Sequence, residues 1–462
     1  MRNRIITFLF VLSFASPSVA ASSADTLTWV KFREIISLYH PVMEQSNLIE
    51  ALAKARVLQA LGNFEPKFSY NYDRKDFDGL NYYRFSTPEV KLPLWYGMEL
   101  KGNWSRAEGS YLNPENRLPG EGLSSVGLNL PLGKGLLMDN RRALLRKAAI
   151  FKDASKIEQV RIINDLMIEA GEAYADWQTW YKINELYDQA LSLAEVRFRA
   201  VKEGLTGGDR PAIDTIEALT QVQQRQLNSQ QAKIQLQNSL YELSLFLWLP
   251  GNESVEPESL TVLPQSETIR PTASIVESIE NNPKLRLFDF KLRDLEIERR
   301  LNAESLRPTI DLRLGILNTG TGAFRNLNPN YWQNNNKVGL NISFPLTFAT
   351  ERGNLAESKI KIKDTQIEQN LVRNELEVKL RQNTAEFIAL QSQISIIRQT
   401  LQAHQKLLEG EEIRFALGES SLFLINARET KLLEIKEKLI ETENKLIKNT
   451  LKGEWLTGRF AD

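Results

Sequence analysis

Two turns in this sequence bring opposite charges within short reach of one another. Glu411 and Glu412 lead into Arg414-Phe415-Ala416-Leu417-Gly418-Glu419-Ser420-Ser421-Leu422, and Asp209, Arg210 and Asp214 crowd a Gly-rich turn that follows Arg197. Such residues can pair as ions and as charge-assisted hydrogen bonds, although one exposed pair contributes only about 0–1 kcal/mol, so the set matters more than any member. Bond-making chemistry has far less to work with. The chain has no cysteine, which removes disulfides, Cys-ligated zinc, iron–sulfur clusters and a thiolate nucleophile. Its two histidines, His40 and His404, lie far apart and suit structural roles. There is no G-x-S-x-G elbow, P-loop or H-E-x-x-H. No catalytic residue, metal ligand or cofactor site is expected.

The elements that carry these turns begin after a leader. Arg2 and Arg4 precede an apolar stretch from Ile5 to Ala15, and Pro17-Ser18-Val19-Ala20 supplies small residues for cleavage after Ala20. Such a stretch is too short for a bilayer, which needs roughly 20 apolar residues in a helix. The densest later run, Leu243 to Leu249, stops at Pro250-Gly251. An exported chain of this kind can cross a membrane only as a closed β-barrel, because lipid leaves no other way to satisfy every backbone group. The 58 basic and 58 acidic residues give no field that would favour nucleic acid.

The rest is one unit written twice. Pro41 and Pro66 bracket a helix-like stretch, and Pro283 and Pro308 bracket another in a register of 242. After the second proline each copy changes period, to Phe68, Tyr70 and Tyr72 in the first and Ile310, Leu312 and Leu314 in the second. Val126-Gly127-Leu128-Asn129-Leu130 and Val338-Gly339-Leu340-Asn341-Ile342 mark a return strand in each. The first copy spends 60 residues between Pro66 and Val126 and the second 30 between Pro308 and Val338, so the first holds an extra hairpin, placed at Phe85 to Trp104.

Long helices follow. From Arg141 to Glu203 there is no proline, a rod of roughly 95 Å. Ile163, Leu166, Ala170, Ala173, Trp177, Trp180, Asn184, Tyr187, Leu191, Ala194, Phe198 and Val201 step by threes and fours, the seam of a coiled coil that makes Trp177 and Trp180 packing residues. Pro211 to Leu247 runs back, carrying eight glutamines from Gln221 to Gln237 that cannot all be buried. The second copy repeats the hairpin with 354–415 and 422–451. Arg197-Phe198 with Gly204, and Arg414-Phe415 with Gly418, are taken as the matching ends of the two outgoing helices. Tyr70, Tyr72, Tyr82, Tyr83, Trp95, Tyr96, Trp104, Tyr111 and Trp332 gather in the strand regions, where aromatic girdles would use them.

In this order the leader, the Pro-started helices at His40-Pro41 and Asn282-Pro283, the strands after Pro66 and Pro308, and the tip Arg414 to Leu422 resemble the TolC-type outer-membrane efflux proteins. The fold implied is mainly α with a β membrane part: tandem-duplicated helical coiled-coil hairpins plus strands contributed to a trimeric barrel. The expected layout is 1–20 leader, 21–250 first efflux repeat, 251–272 linker and 273–462 second repeat. The resemblance implies a homotrimer in the outer membrane of a Gram-negative cell, reaching into the periplasm. Its tips would dock on a periplasmic membrane-fusion adaptor fed by an inner-membrane pump.

It further implies that the channel narrows at the tips. Arg197, Asp209, Asp214, Glu411, Arg414, Phe415, Gly418, Glu419 and Ser420 are the residues that carry this gate and adaptor role here. Where many relatives place acids after the turn, this chain has Leu424-Ile425-Asn426-Ala427, so a pore carboxylate must come from Glu419 or Glu429. Two strands per copy give four per chain and twelve per trimer, and more if the extra hairpin joins. The competing expectation is a periplasmic coiled-coil adaptor or scaffold with no barrel of its own.

Overall fold

The computed structural model describes residues 26–208, 211–256, 263–264, 279–324, 334–458 and 460. The expected cleavage site at Ala20, Asp209 and Arg210 of the first turn, Trp332 and most of the expected linker lie outside the described residues. Seven α-helices are described: α1 Trp29–Tyr39, α2 Pro41–Leu61, α3 Asn140–Thr206, α4 Ala212–Ser244, α5 Pro283–Glu304, α6 Ala349–Ala416 and α7 Leu422–Thr457. Six longer strands, β1 Lys67–Phe77, β2 Leu80–Pro93, β3 Glu99–Glu108, β4 Leu123–Pro131, β5 Thr309–Thr319 and β6 Asn336–Ser343, form one sheet in the order β6-β5-β4-β3-β2-β1. Every neighbouring pair is antiparallel.

The helix starts follow from local chemistry. Pro283 opens α5 behind Asn282, whose side chain accepts from the Lys284 N–H at 2.9 Å, so a missing donor and a cap coincide at one end. The sheet has local causes too. Asp78 and Gly79, both at positive φ, turn β1 into β2, as a type I′ hairpin requires. The extra hairpin of the first copy is β2 and β3, and it is longer than the Phe85 to Trp104 segment that alternation suggests.

The chain divides into two compact units that cut across the sequence repeat. A helical unit comprises Met1–His40, Ala170–Pro271 and Gln393–Ile447, and a sheet-bearing unit takes Pro41–Glu169, Thr272–Ser392 and Lys448–Asp462. In the helical unit Phe32 and Ile36 of α1 are wholly buried. Phe32 stacks on Tyr174 at 5.4 Å, and the Tyr174 hydroxyl donates to the Leu27 carbonyl at 2.7 Å. Every one of the twelve seam positions from Ile163 to Val201 is buried or half-buried, as a sustained heptad pattern demands.

In the sheet-bearing unit one cluster joins Ile279, Leu285, Leu376 and Leu456, and another joins Met138, Ala143 and Ile297. Polar clasps add register. Asn383 donates to the Asn449 carbonyl at 2.7 Å while Asn449 donates to the Asn383 carbonyl at 3.2 Å. These side chains tie α6 to α7 with directional bonds that an apolar contact would not supply.

One expected landmark fails. Gly204 does not end the first outgoing helix, which continues to Thr206, and the glycine at positive φ is Gly208 at +83°. Arg197-Phe198 therefore lies roughly three helical turns before its turn glycine, and Arg414-Phe415 about one turn before Gly418. The physical reason is that glycine inside a long packed helix costs only about 1 kcal/mol, too little to stop it.

Candidate functional site: the helix tips and a two-faced sheet

At the second hairpin, α6 ends in a Schellman motif. Gly418 takes φ +79°, its N–H donates to the Phe415 carbonyl at 3.0 Å, and the Glu419 N–H donates to the Arg414 carbonyl at 2.9 Å. Both bonds satisfy carbonyls the helix would leave orphaned, and glycine fits the left-handed residue because it has no Cβ. The Glu411 side chain is nearly buried beneath this turn. It accepts from the Ser420 hydroxyl at 2.5 Å, with Arg414 and Arg428 each 3.8 Å from its carboxylate. Arg414 also donates to the Glu419 carbonyl at 3.3 Å, and the Glu419 side chain is left to solvent. Glu411, Arg414, Gly418, Glu419 and Ser420 thus form one local knot.

The first hairpin is built otherwise. Gly207 and Gly208 donate to the Glu203 and Leu205 carbonyls, and Asp214 sits half-buried in the first turn of α4. Arg197 does not stay in its own hairpin. Its guanidinium makes two 2.6 Å bonds to both carboxylate oxygens of Glu429 on α7, the bidentate geometry that makes Arg–carboxylate pairs strong and directional. Arg225 of α4, 4 % exposed, donates to the Thr430 hydroxyl at 2.7 Å. Burial pulls the Arg225 pKa down, and the Glu429 carboxylate works against that pull. Tyr187 donates to Glu437 at 2.5 Å, and burial together with that bond pushes its pKa up.

Below the pairs lies an apolar plug. Val201, Ala218 and Leu422 are buried together, with Phe198 and Phe415 packed against them. The two phenylalanines of the repeated Arg-Phe pair therefore meet in one cluster while the two arginines take different partners. Sequence reasoning places Arg197, Glu411, Arg414, Phe415, Gly418, Glu419 and Ser420 at or near these tips. It gives no role to Arg225 or Arg428. A buried arginine amid eight glutamines has only one sequence signal, its place on the small-residue stripe Ala218, Arg225, Ser229, Ala232, Ser239.

The sheet has two faces that register makes explicit. One row runs Phe68, Val90, Gly102, Val126, Ile316, Asn336, and the next but one runs Leu92, Leu100, Leu128, Leu314, Val338. Between them, on the other face, runs Lys67, Lys91, Lys101, Gly127, Gly315, Lys337. Glu89 and Glu99 partner Lys91 and Lys101 on that face, at 2.6 and 3.8 Å. Near the helices, apolar residues on one side and charge on the other follow from the period of two in a strand, whereas toward the turn between β1 and β2 the same side as Phe68 carries Arg74, Arg84, Arg106 and Glu108.

Aromatic rings mark both ends of the sheet. Phe64 packs on Trp95 at the turn between β2 and β3, and Phe77, Tyr82 and Tyr111 cluster at the opposite end, with centroids 5.7 and 4.6 Å apart. The junction from sheet to helix is held by side chains that the sequence does not announce. Arg142 donates to the Gly135 and Leu136 carbonyls at 2.7 and 3.0 Å, and Glu304 accepts from the Leu137 N–H at 3.0 Å.

Residues 274–449 match the Outer membrane efflux protein family. Among solved structures, the outer-membrane channel OprN is similar at TM-score 0.67 and 12 % identity, over 94 % of this chain and 90 % of that one. The outer membrane protein VceC from Vibrio cholerae is similar at TM-score 0.65 and 14 % identity, over 93 % and 96 %. The MtrE outer membrane channel of Neisseria gonorrhoeae, in its open state, is similar at TM-score 0.65 and 13 % identity, over 96 % and 93 %. A comparison with the sequences of curated proteins finds no match. The segment 274–449 is thus similar to the outer membrane efflux protein family, and the chain along nearly its whole length has the fold of these outer-membrane channel structures.

Proposed function

We propose that this chain is an outer-membrane export duct of a tripartite efflux or type I secretion system, passing substrates from a periplasmic adaptor and an inner-membrane pump to the exterior. The observation that carries it is the two-faced sheet. Its apolar face suits lipid and its charged face suits an aqueous lumen, a division that membrane barrels require. Among the described residues β1 and β6 each pair on one side only. Open edges are not tolerated in hydrocarbon, so the sheet is completed by copies of itself, and the reading is a homotrimer.

Exposed apolar seams on the helices support the same partner. Ile213, Leu227, Ile234 and Tyr241 recur at multiples of seven on α4, and Ile360, Ile367, Leu371 and Val378 at sevens and fours on α6, all exposed. A heptad seam left in water is destabilising unless a second helix covers it. The glutamines of α4 split accordingly, with Gln223, Gln224, Gln226, Gln230, Gln231 and Gln237 exposed.

In this reading the duct does no bond chemistry. Its moving part is the tip region, where the Arg197–Glu429 bridge, the Glu411 knot and the Phe198–Phe415 plug hold the hairpins together, and where an adaptor docks. Reconstitution into planar bilayers after extraction from outer membranes tests the whole. Discrete conductance steps and a trimer that resists detergent until heated are expected. A soluble periplasmic protein without conductance would instead favour the adaptor or scaffold.

A further inference from the structure

The extra hairpin raises a question the trimer alone does not answer, namely whether β2 and β3 are wall or ornament. We infer that they are wall: each copy contributes all six strands, β6 of one copy pairs with β1 of the next, and the barrel closes with eighteen. This rests on the export-duct reading and fixes the size of its membrane pore.

Four observations lead there. The first is length. The six strands run 11, 14, 10, 9, 11 and 8 residues in chain order, against the roughly 9–11 that a tilted membrane strand needs. The hairpin strands β2 and β3 are as long as the others, whereas a decorative loop has no reason to be.

The second is continuity of the faces. Val90 and Leu92 of β2 and Leu100 of β3 fall in the same apolar rows as Phe68, Val126, Leu128, Leu314 and Val338, and Lys91 and Lys101 fall in the polar row of Lys67 and Lys337. A one-residue slip would reverse every side chain. The inserted strands thus carry the membrane pattern of the sheet they interrupt.

The third is direction. Six is an even number, so in an antiparallel sheet the two outer strands run in opposite senses, and β6 of one copy meets β1 of the next antiparallel without a break in the alternation. Matching faces also sets parity. Odd-numbered residues of β1 (Lys67, Ser69, Asn71, Asp73) must lie beside odd-numbered residues of β6 (Lys337, Gly339, Asn341, Ser343).

The fourth is width. Helices α2, α3, α5 and α6 each join one strand of the sheet, at β1, β4, β5 and β6. They lie side by side in that same order. Arg56 of α2 sits over the Phe151 ring of α3 at 3.9 Å, Lys147 of α3 reaches Glu298 of α5 at 3.0 Å, and Asn302 of α5 donates to the Asn354 carbonyl of α6 at 3.2 Å. At about 9 Å per helix, four helices span about 36 Å. Six strands spaced about 4.8 Å and tilted about 40° span about 38 Å, while four would span only about 25 Å. Without β2 and β3 the sheet would be about a third narrower than the helices it hangs from.

The test is imaging of the unmodified protein in lipid nanodiscs, with strands counted around the pore. Eighteen strands are expected, in a barrel about 1.5 times as wide as one of twelve. Twelve strands with Leu80–Glu108 lying outside the wall would overturn this inference and leave the duct reading standing. Absence of a trimer would overturn the duct reading itself. Asn71→Cys is also combined in turn with Lys337→Cys, Gly339→Cys and Asn341→Cys. At least one combination is expected to give oxidant-dependent dimers and trimers on a denaturing gel, and Asn71→Cys with Leu340→Cys none. If the odd pairs fail and the even pair links, the closing parity is wrong and the proposed seam falls.

Discussion

The two hairpin tips are held by different bonds. At the second tip the charged and hydroxyl groups of the turn bond locally: Glu411, Ser420, Arg414 and the Gly418 turn bond among themselves. The first hairpin sends Arg197 out to Glu429 on α7. Of the two motif arginines, Arg197 bridges the hairpins and Arg414 bonds within its own.

The largest effect should come from Glu429. Glu429→Ala removes the partner of Arg197 and the carboxylate that does most to offset the burial of Arg225, so one cation loses its partner and a second loses its main counter-charge. A loss of about 3 kcal/mol is expected, seen as a lower thermal midpoint of the helical signal. Arg197→Ala should cost less, about 1–2 kcal/mol, since Arg225 still faces Glu429. Arg414→Ala should cost under 1 kcal/mol, because its side chain is 56 % exposed. If Arg414→Ala equals Arg197→Ala in both thermal midpoint and resting conductance, the asymmetry between tips is not real.

Next comes the turn itself. Gly418→Ala places a Cβ on a residue at φ +79° and should cost about 1 kcal/mol, with faster amide exchange confined to the end of α6 and the start of α7. Gly208→Ala, at φ +83°, should cost about the same but leave exchange at Glu411 and Ser420 untouched. Spread of the Gly208→Ala effect into the second tip would show the two ends to be one cooperative unit.

A smaller effect is expected at Glu419. Glu429 is occupied by Arg197, so in the proposed trimeric duct Glu419 is the candidate for a pore ring, where three copies would favour cations. Glu419→Gln should reduce cation selectivity and block by divalent ions in single-channel recordings. Unchanged values of both would remove Glu419 from the conduction path.

The smallest effect is set by pH in the helical unit. His40 is buried beside the Phe246 and Trp248 rings, 6.1 and 6.0 Å away, and burial lowers its pKa. A lowered histidine pKa means that the unfolded chain binds the proton first. Stability is therefore full above the ordinary value near 6.5 and declines as pH falls from there toward the folded-state value. His40→Gln should flatten that decline in a thermal titration, and an unchanged slope would assign it to other groups.

How much of this was legible depended on the kind of force involved. The heptad seam from Ile163 to Val201 could be found because burial repeats with the helix, and the strand landmarks at Val126 and Val338 because burial alternates in a strand. Gly204 misled because a glycine is read as punctuation wherever it occurs, whereas packing along α3 carried the helix through it. Arg225, Arg142 and Glu304 were invisible for a related reason. Their hydrogen-bond partners are backbone carbonyls, a hydroxyl and a backbone N–H at positions set by the turn of the chain rather than by residue type.

The sequence alone determined the repeated spacing of Pro41 with Pro66 and Pro283 with Pro308, and the change from helical to strand period after Pro66 and Pro308. These are properties of spacing, and each element can satisfy them with its own neighbours. The tertiary structure alone decided that Arg197 and not Arg414 bridges the hairpins, that the two motif phenylalanines share one core, and that the extra hairpin lies in register within the sheet. Each of those outcomes depends on which remote segments arrive side by side. That is settled by packing and hydrogen-bond geometry in three dimensions, which no local pattern encodes.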